Sequence, residues 1–303
     1  MTAKDIVRQC YFAAAAAVAL TVQLLPYKMA VIAGGILGRA AYYLAGKARK
    51  DTEAHLRDAF PSMPDGDLRT IAREVFANQG KNIFELFSFP KLNREKFAHI
   101  VTIENKDAFH KAFAAGKGVL ILSAHCANWE IMAAALAAEG VPLNVIARRI
   151  YIEGLNRMLV GFREQKGVKV ILRSGRGSAR EILRSLRHNE SVGMLIDQDT
   201  DVQGVFVDFF GIKAWTPSGL AALALRTGAP VVAALDVREN NGRHTVKLAG
   251  PFELIRTGDQ ENDIIVNTQV FTRFIENHIR NNPAQWVWMH KRWKTQVQDN
   301  GVH

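Results

Sequence analysis

Cysteine is scarce in this chain. Its 303 residues include only Cys10 and Cys126, far apart in sequence. That excludes a disulfide framework and a cysteine-built zinc site, and makes a reducing compartment the simpler assumption. Acidic side chains are also under-represented: 29 Asp and Glu stand against 39 Lys and Arg, a formal net charge of +10. An excess of that size implies an anionic partner. Nucleic acid, an anionic membrane surface, an acidic carrier protein and a phosphorylated substrate all qualify, and charge does not choose among them. With 48% hydrophobic residues, no disordered class fits. The chain is long enough to bury a full core as one large domain, or as one domain with a helical appendage.

Formal charge is missing altogether from residues 9–27, nineteen positions between Arg8 and Lys28 made mostly of Ala, Val, Leu and aromatics. Such a run is just long enough to span a bilayer. A buried core helix or a cleaved signal peptide has the same composition, with Lys4 and Arg8 as a basic start. A second apolar run, 29–46, is interrupted by Gly34, Gly35, Gly38 and Arg39, which favours a re-entrant or surface helix, and Lys47, Arg49 and Lys50 follow at once. Basic residues just after apolar segments favour the cytoplasmic side and anionic head groups. The expected division is a membrane-associated helical segment at 1–50 and one larger domain at 51–303.

From there the pattern becomes regular. Helices are expected at 51–60, stopped by Pro61, and at 64–87, where Glu85 reads first as part of a solvated face and otherwise as a pocket residue. Short apolar runs at 99–103, 119–122, 143–147, 168–172, 192–196 and 231–235 then alternate with helical stretches at 105–115, 128–139, 153–166, 177–188 and 217–226. Repeated strand, helix, strand predicts an α/β fold with a mixed, mostly parallel sheet flanked by helices. Thr216 and Pro217 look like a helix start, and 243–248 is expected to pair antiparallel with the strand before it through Asn240, Asn241 and Gly242.

The stretch 118–130, GVLILSAHCANWE, concentrates the chemistry. A buried strand running into a helix places His125 on the turn at the strand's carboxyl end, where open α/β sheets bind ligands. Glu130 falls in the first helical turn, a spacing at which a carboxylate can fix the imidazole's tautomer and leave the other nitrogen basic. Such a dyad can take a proton from a hydroxyl. A histidine satisfied by a backbone carbonyl beside a surface glutamate is the plain alternative, but it leaves unexplained Asn128, suited to cap the helix, and Trp129, suited to wall a pocket. Cys126 keeps open a nucleophilic route, since a thiolate beside an imidazole would be reactive.

Three further patches are candidates for the same cleft. Arg148 and Arg149 end a predicted strand, where a guanidinium can hold a phosphate or charge on a carbonyl oxygen; ordinary surface arginines read the same way. The run 173–178, RSGRGS, precedes a helix and is either an anion cradle or a turn. In 196–211, IDQDTDVQGVFVDFFG, the aspartates 197, 199, 201 and 208 imitate a calcium loop, but Val202 stands where that loop needs glycine and a strand precedes it, so no metal is expected. At the far end 285–294, QWVWMHKRWK, alternates aromatic and basic residues. That suits single-stranded nucleic acid, a membrane interface or a capped final strand.

Four of these blocks, in order across 118–294, resemble the late acyltransferases of lipid A biosynthesis, within the wider glycerolipid acyltransferase superfamily. His125 to Glu130 is similar to that family's HxGNWE form of the H-x4-D/E block, with Ala127 replacing the usual glycine. Arg148 matches its second-block arginine, Asp197 and Asp199 with Phe209, Phe210 and Gly211 its third block, and QWVWMHKRWK its W-x-H-x-R-W ending. The resemblance implies a glycerolipid acyltransferase-like fold and transfer of a fatty acyl chain from acyl-carrier protein or acyl-CoA to a hydroxyl of a lipid A precursor. It places the catalytic domain on the cytoplasmic side of an inner membrane, with no cofactor, metal or nucleic acid. Within it His125 is the base and Glu130 its orienter. Asn128, Trp129, Arg148, Asp197, Asp199, Phe210 and Gly211 are expected at the substrate, the two aspartates positioning Arg148 or a hydroxyl, although Phe209 and Phe210 read equally as core. Another acceptor lipid, such as a lysophospholipid or a mannosylated phosphoinositide, and a non-catalytic basic binding protein remain the alternatives.

Overall fold

A computed structural model describes residues 3–173 and 176–297. The six strands read from apolar runs are all present: β1 (Val101–Glu104), β2 (Val119–Ser123), β3 (Leu143–Ala147), β4 (Lys169–Leu172), β5 (Ser191–Leu195) and, past a ribbon described below, β8 (Val231–Arg238). Together with β9 (His244–Ala249) they form one sheet in the order β1-β9-β8-β2-β5-β3-β4. The five strands from β8 to β4 are parallel, β9 is antiparallel to β8, and β1 is parallel to β9. The expected mixed, mostly parallel α/β sheet is therefore the one observed.

Alternation along β2 shows why the sheet is buried on both sides. Leu120 and Leu122 join one core cluster, whereas Val119 and Ile121 join the other, because successive side chains leave a strand on opposite faces. The first face is covered by α9 (Arg176–Arg187), α10 (Gly219–Thr227) and α11 (Gln260–Asn281), through Ile182, Leu186, Leu220 and Phe271. The second is covered by α5 (Arg94–Ile100), α6 (Asp107–Phe113) and α7 (Trp129–Ala138), through Phe97, Phe109 and Ile131. Helix α8 (Glu153–Gln165) connects β3 to β4 on that side.

One expectation fails locally, and so does one of the readings open for the closing segment. Thr216 and Pro217 do not start a helix; they end β7 (Ile212–Pro217), which pairs with β6 (Gly204–Phe209) in a separate antiparallel ribbon, and α10 begins at Gly219. That hairpin escaped notice because its two-residue turn is Phe210-Gly211 rather than Asn-Gly. Both residues have positive φ, 55° and 78°, the primed-turn geometry that a phenylalanine rarely adopts. The closing segment after Trp286 is not a strand either; it runs as turns, touching the sheet region by one bridge between Cys126 and Trp286. The glycine and arginine run lies partly outside the described residues, at 174 and 175.

The N-terminal helices are α1 (Ala3–Leu24), α2 (Tyr27–Leu44), α3 (Gly46–Ala59) and α4 (Asp65–Phe87). Residues Asp5–Leu24 are long and apolar enough to cross a membrane and are largely uncovered by protein. Helix α2 is bent 93° from α3 and lies directly on α4. A Cβ added at Gly38 would come 2.2 Å from the Phe76 carbonyl oxygen, and one at Gly80 2.1 Å from that of Gly34. The glycines that looked like interruptions are thus what let two backbones touch. The opposite side of α2 leaves Met29, Ile32, Ile36 and Leu44 exposed. The expected boundary at residue 50 falls inside α3.

Candidate active site

The site begins with strand register. Ser123 at the end of β2 pairs with Leu195 at the end of β5, so the chain two residues further on brings His125 beside Asp197. The His125 amide donates to Asp197 Oδ2 at 2.9 Å, and ring Nδ1 lies 2.9 Å from Oδ1. Trp286 Nε1 donates to Oδ2 at 2.7 Å. The Asp197 side chain has 0% exposure and that of His125 23%. Burial pushes the Asp197 carboxyl up, but the His125 charge and the bonds from His125 and Trp286 outweigh it and hold the group below the usual range. A proton on Nδ1 satisfies the carboxylate and leaves Nε2 with its lone pair available, the arrangement of an imidazole able to accept a proton from a hydroxyl.

The carboxylate on His125 is therefore Asp197, where the sequence reading placed Glu130. Glu130 instead takes Arg163 of α8 in a two-pronged pair, Nε to Oε2 at 2.9 Å and Nη2 to Oε1 at 2.6 Å, and accepts from Trp129 Nε1 at 3.1 Å. The reason lies between the two residues. Ala127 has φ +43°, which turns the chain sharply, and α7 then starts with Glu130 facing α8. Sequence spacing sets how near two side chains lie but not the direction each takes. Trp129 does meet the imidazole, its ring edge-on at 4.8 Å, so Glu130 touches the site only through that indole.

Asn128 caps α7 as expected, its Oδ1 accepting from the amides of Glu130 and Ile131. Its Nδ2 donates to Glu85 Oε2 at 2.7 Å and its own amide to Asp236 Oδ2 at 2.9 Å. Buried and bonded through its amide and its side chain, it builds the turn. Asp199 is likewise committed, accepting from the Thr295 amide at 2.6 Å and hydroxyl at 3.0 Å with Lys294 Nζ 3.7 Å away. It ties down the closing segment. Neither aspartate bonds Arg148. That arginine is exposed just beyond β3, its Nη2 donating to the Tyr151 hydroxyl at 3.1 Å, while Arg149 pairs with Glu153. Phe210 is buried among Phe60, Phe209 and Trp288, and Arg280 stacks 4.4 Å from its ring. With Gly211 it forms the ribbon's turn.

Cys126 is buried next to the histidine. Burial, with Asp197 and Asp236 adding to it, pushes its thiol well above the ordinary range, which disfavours the thiolate that a nucleophilic route requires. Arg292 is buried behind Asp197 and Asp199, donating to the Trp215 carbonyl and the Thr216 hydroxyl. Burial pulls its guanidinium down to about 10 against the pull of the two aspartates. Among the described residues no group of three or more His, Cys, Asp or Glu is arranged to hold a metal.

Two participants escaped the sequence reading. Trp286 lay inside the recognised QWVWMHKRWK block, but nothing in that block says which indole reaches Asp197. Glu85, expected on a solvated face, is wholly buried and pairs with Arg238 and His244. An isolated glutamate in an amphipathic helix carries no local signal for such a partner.

A buried aspartate bonded to a partly exposed histidine at the carboxyl ends of two parallel strands is an arrangement in which an imidazole can accept a proton. The chain belongs to the family described as bacterial lipid A biosynthesis acyltransferase, whose profile matches residues 2–295, and is an O-acyltransferase. It is 25% identical to the phosphatidylinositol mannoside acyltransferase of Mycolicibacterium smegmatis over 271 residues, 88% of this chain and 87% of that one. It is 28% identical to the protein of the same name from Mycobacterium tuberculosis over 221 residues, 71% of this chain and 68% of that one. It is 24% identical to the lipid A biosynthesis lauroyltransferase of Escherichia coli over 281 residues, 91% of this chain and 88% of that one.

Proposed function

We propose that the protein transfers a fatty acyl chain from the thioester of acyl-carrier protein or acyl-CoA to a hydroxyl of a lipid A precursor, with its catalytic domain at the cytoplasmic face of the inner membrane. The observation that carries the mechanism is the His125–Asp197 pair. Nε2 of His125 takes the proton as the acceptor oxygen attacks the thioester carbon; the tetrahedral intermediate collapses, the carbon–sulfur bond breaks, and the leaving thiolate recovers the proton from the imidazolium. Asp197 keeps the ring in the productive tautomer and stabilises its charged form. Trp129 packs against the ring, with Glu130 and Arg163 holding that indole. Arg148, which has no carboxylate partner among the described residues, is the cation available for charge on the carbonyl oxygen or for an acceptor phosphate.

The exposed apolar sides of α1 and α2 support attachment to the bilayer, and Lys47, Arg49 and Lys50 just after α2 support a cytoplasmic catalytic domain. A second acceptor has a specific observation in its favour. The mycobacterial relatives named for phosphatidylinositol mannoside match this chain at identities of the same order as the lipid A relatives, so a mannosylated phosphoinositide is the competing acceptor. Membranes carrying the protein, or its His125→Ala variant, are incubated with labelled acyl-carrier protein or acyl-CoA and with a lipid A precursor, a mannosylated phosphoinositide or a lysophospholipid. Label in the lipid A precursor, lost with His125→Ala, is the expected result. Label only in one of the other lipids overturns the acceptor, and an active His125→Ala overturns the base.

A further inference from the structure

We propose that Glu85, Asp236, Arg238 and His244 form a positioning unit for the transfer reaction, a buried cluster of two acids and two bases that holds the turn after His125 and thereby sets the His125–Asp197 geometry. The inference rests on His125 being the base. The four residues come from α4, β8 and β9. Glu85 receives both guanidinium Nη atoms of Arg238, Nη2 to Oε2 at 2.7 Å and Nη1 to Oε1. His244 lies between two carboxylates, Nδ1 2.7 Å from Asp236 Oδ2 and Nε2 3.2 Å from Glu85 Oε1. With a carboxylate oxygen at each ring nitrogen, both nitrogens donate and the ring is an imidazolium. Arg238 Nη1 also lies 3.2 Å from His244 Nε2, a like-charge contact that Glu85 Oε1, bonded to both, offsets.

Four charged groups buried together cost desolvation that apolar side chains of similar volume would not. Core filling therefore does not account for them. Several of their remaining hydrogen bonds lead to one place, while Asp236 Oδ1 and Arg238 Nε are buried without a partner among the described residues. Asp236 Oδ2 accepts the Asn128 amide and Glu85 Oε2 the Asn128 side chain. Asn82, whose Oδ1 takes Arg238 Nη2 at 2.6 Å, donates to the Ala127 carbonyl at 2.5 Å. The Gln285 side chain bonds the Arg238 backbone, Oε1 accepting from its amide and Nε2 donating to its carbonyl, and the Gln285 backbone carbonyl accepts the Ala127 amide at 2.7 Å. Directly, or through Asn82 and Gln285, these bonds lead to residues 127 and 128. Ala127 needs them, because an L residue at φ +43° is not held there by its own preferences. Released, the turn relaxes toward negative φ and swings His125 away from an Asp197 that β5 and Trp286 keep in place.

Other groups face the cluster as well. The Tyr27 hydroxyl of α2 donates to Glu85 Oε1 at 3.3 Å, and His278 Nε2 of α11 lies 3.1 Å from the Asp236 carbonyl. Burial pulls the His244 imidazole down, but Asp236 and Glu85 outweigh it and push it up to about 9. Above that pH the cluster loses its balance.

The test uses the full-length protein in detergent or vesicles, with transfer measured across pH. His244→Gln is expected to lower kcat at least tenfold with KM changed less than threefold, and to lack the fall in kcat expected of the parent above about pH 9. Adding Ala127→Gly, which tolerates the turn's φ unaided, is expected to restore at least threefold of that loss. Should His244→Gln not fold, Asn82→Ala replaces it, removing the bond to the Ala127 carbonyl, with the same expected loss in kcat. Folded His244→Gln or Asn82→Ala with kcat within threefold of the parent overturns the positioning role. A fully active His125→Ala overturns the base assignment and this inference with it, whereas an inactive His125→Ala beside an undisturbed His244→Gln overturns this inference alone.

Discussion

Replacing Asp197 by asparagine separates the two candidate orienters of His125. In the parent, one carboxylate oxygen receives two N–H groups, from the His125 backbone and Trp286, and the other faces ring Nδ1. An asparagine keeps the most bonds by leaving its carbonyl oxygen toward the two N–H donors and turning its NH2 to Nδ1. That forces the imidazole proton onto Nε2, the nitrogen that accepts the hydroxyl proton in the proposed mechanism. Wrong-tautomer histidines in acyl-transfer enzymes lose about 10⁴ in kcat, so Asp197→Asn is expected to fall by about 10³ to 10⁴, a barrier increase of about 4–5.5 kcal/mol, with KM little changed. Lost charge-assisted bonding costs about 1–3 kcal/mol of stability in addition. Glu130→Gln leaves the His125–Asp197 bond intact and weakens only the hold on Trp129 and Arg163, so its loss in kcat is expected to stay within about tenfold. Steady-state transfer assays on both variants, with circular dichroism as the control for folding, give the comparison. Asp197→Asn within tenfold of the parent, or Glu130→Gln as damaging as the expected Asp197→Asn, refutes the reasoning.

Cys126→Ala is expected to keep kcat within about threefold and to cost about 1 kcal/mol of stability for the lost buried sulfur; an acyl adduct on Cys126, seen by intact mass after incubation with donor, contradicts this. Gly80→Ala gains about 1 kcal/mol of helix propensity, but its Cβ meets the Gly34 carbonyl at 2.1 Å. The clash between backbones wins, and thermal unfolding in detergent should show a net loss of about 1–3 kcal/mol. Stability should also fall with rising pH. His244 has a folded pKa of about 9 against 6.5 unfolded, so its contribution, about 3 kcal/mol, is complete below about pH 6.5 and is lost as pH rises through 9. Denaturant titrations at pH 6.5 and pH 10 on parent and His244→Gln check the sign, since the variant should lack this decline.

What the chain order of residues determined by itself was what depends on neighbours in sequence. Short apolar runs between amphipathic stretches set the six principal strands, because burial on both faces demands them locally, and the strand-to-helix turn at 118–130 placed His125 at a carboxyl end. Asn128 as a helix cap was legible for the same reason. The partner of His125 was not. Asp197 lies 72 positions away, and only the adjacency of β2 and β5, with Ser123 opposite Leu195, brings the two together. Glu130, near in sequence, is turned toward α8 by the left-handed Ala127. Burial of Glu85 was equally out of reach, since its cationic partners sit on β8 and β9 and become neighbours only when α4 crosses the ends of those strands. Spacing along a chain limits which side chains can be close; strand order and backbone direction decide which of them meet.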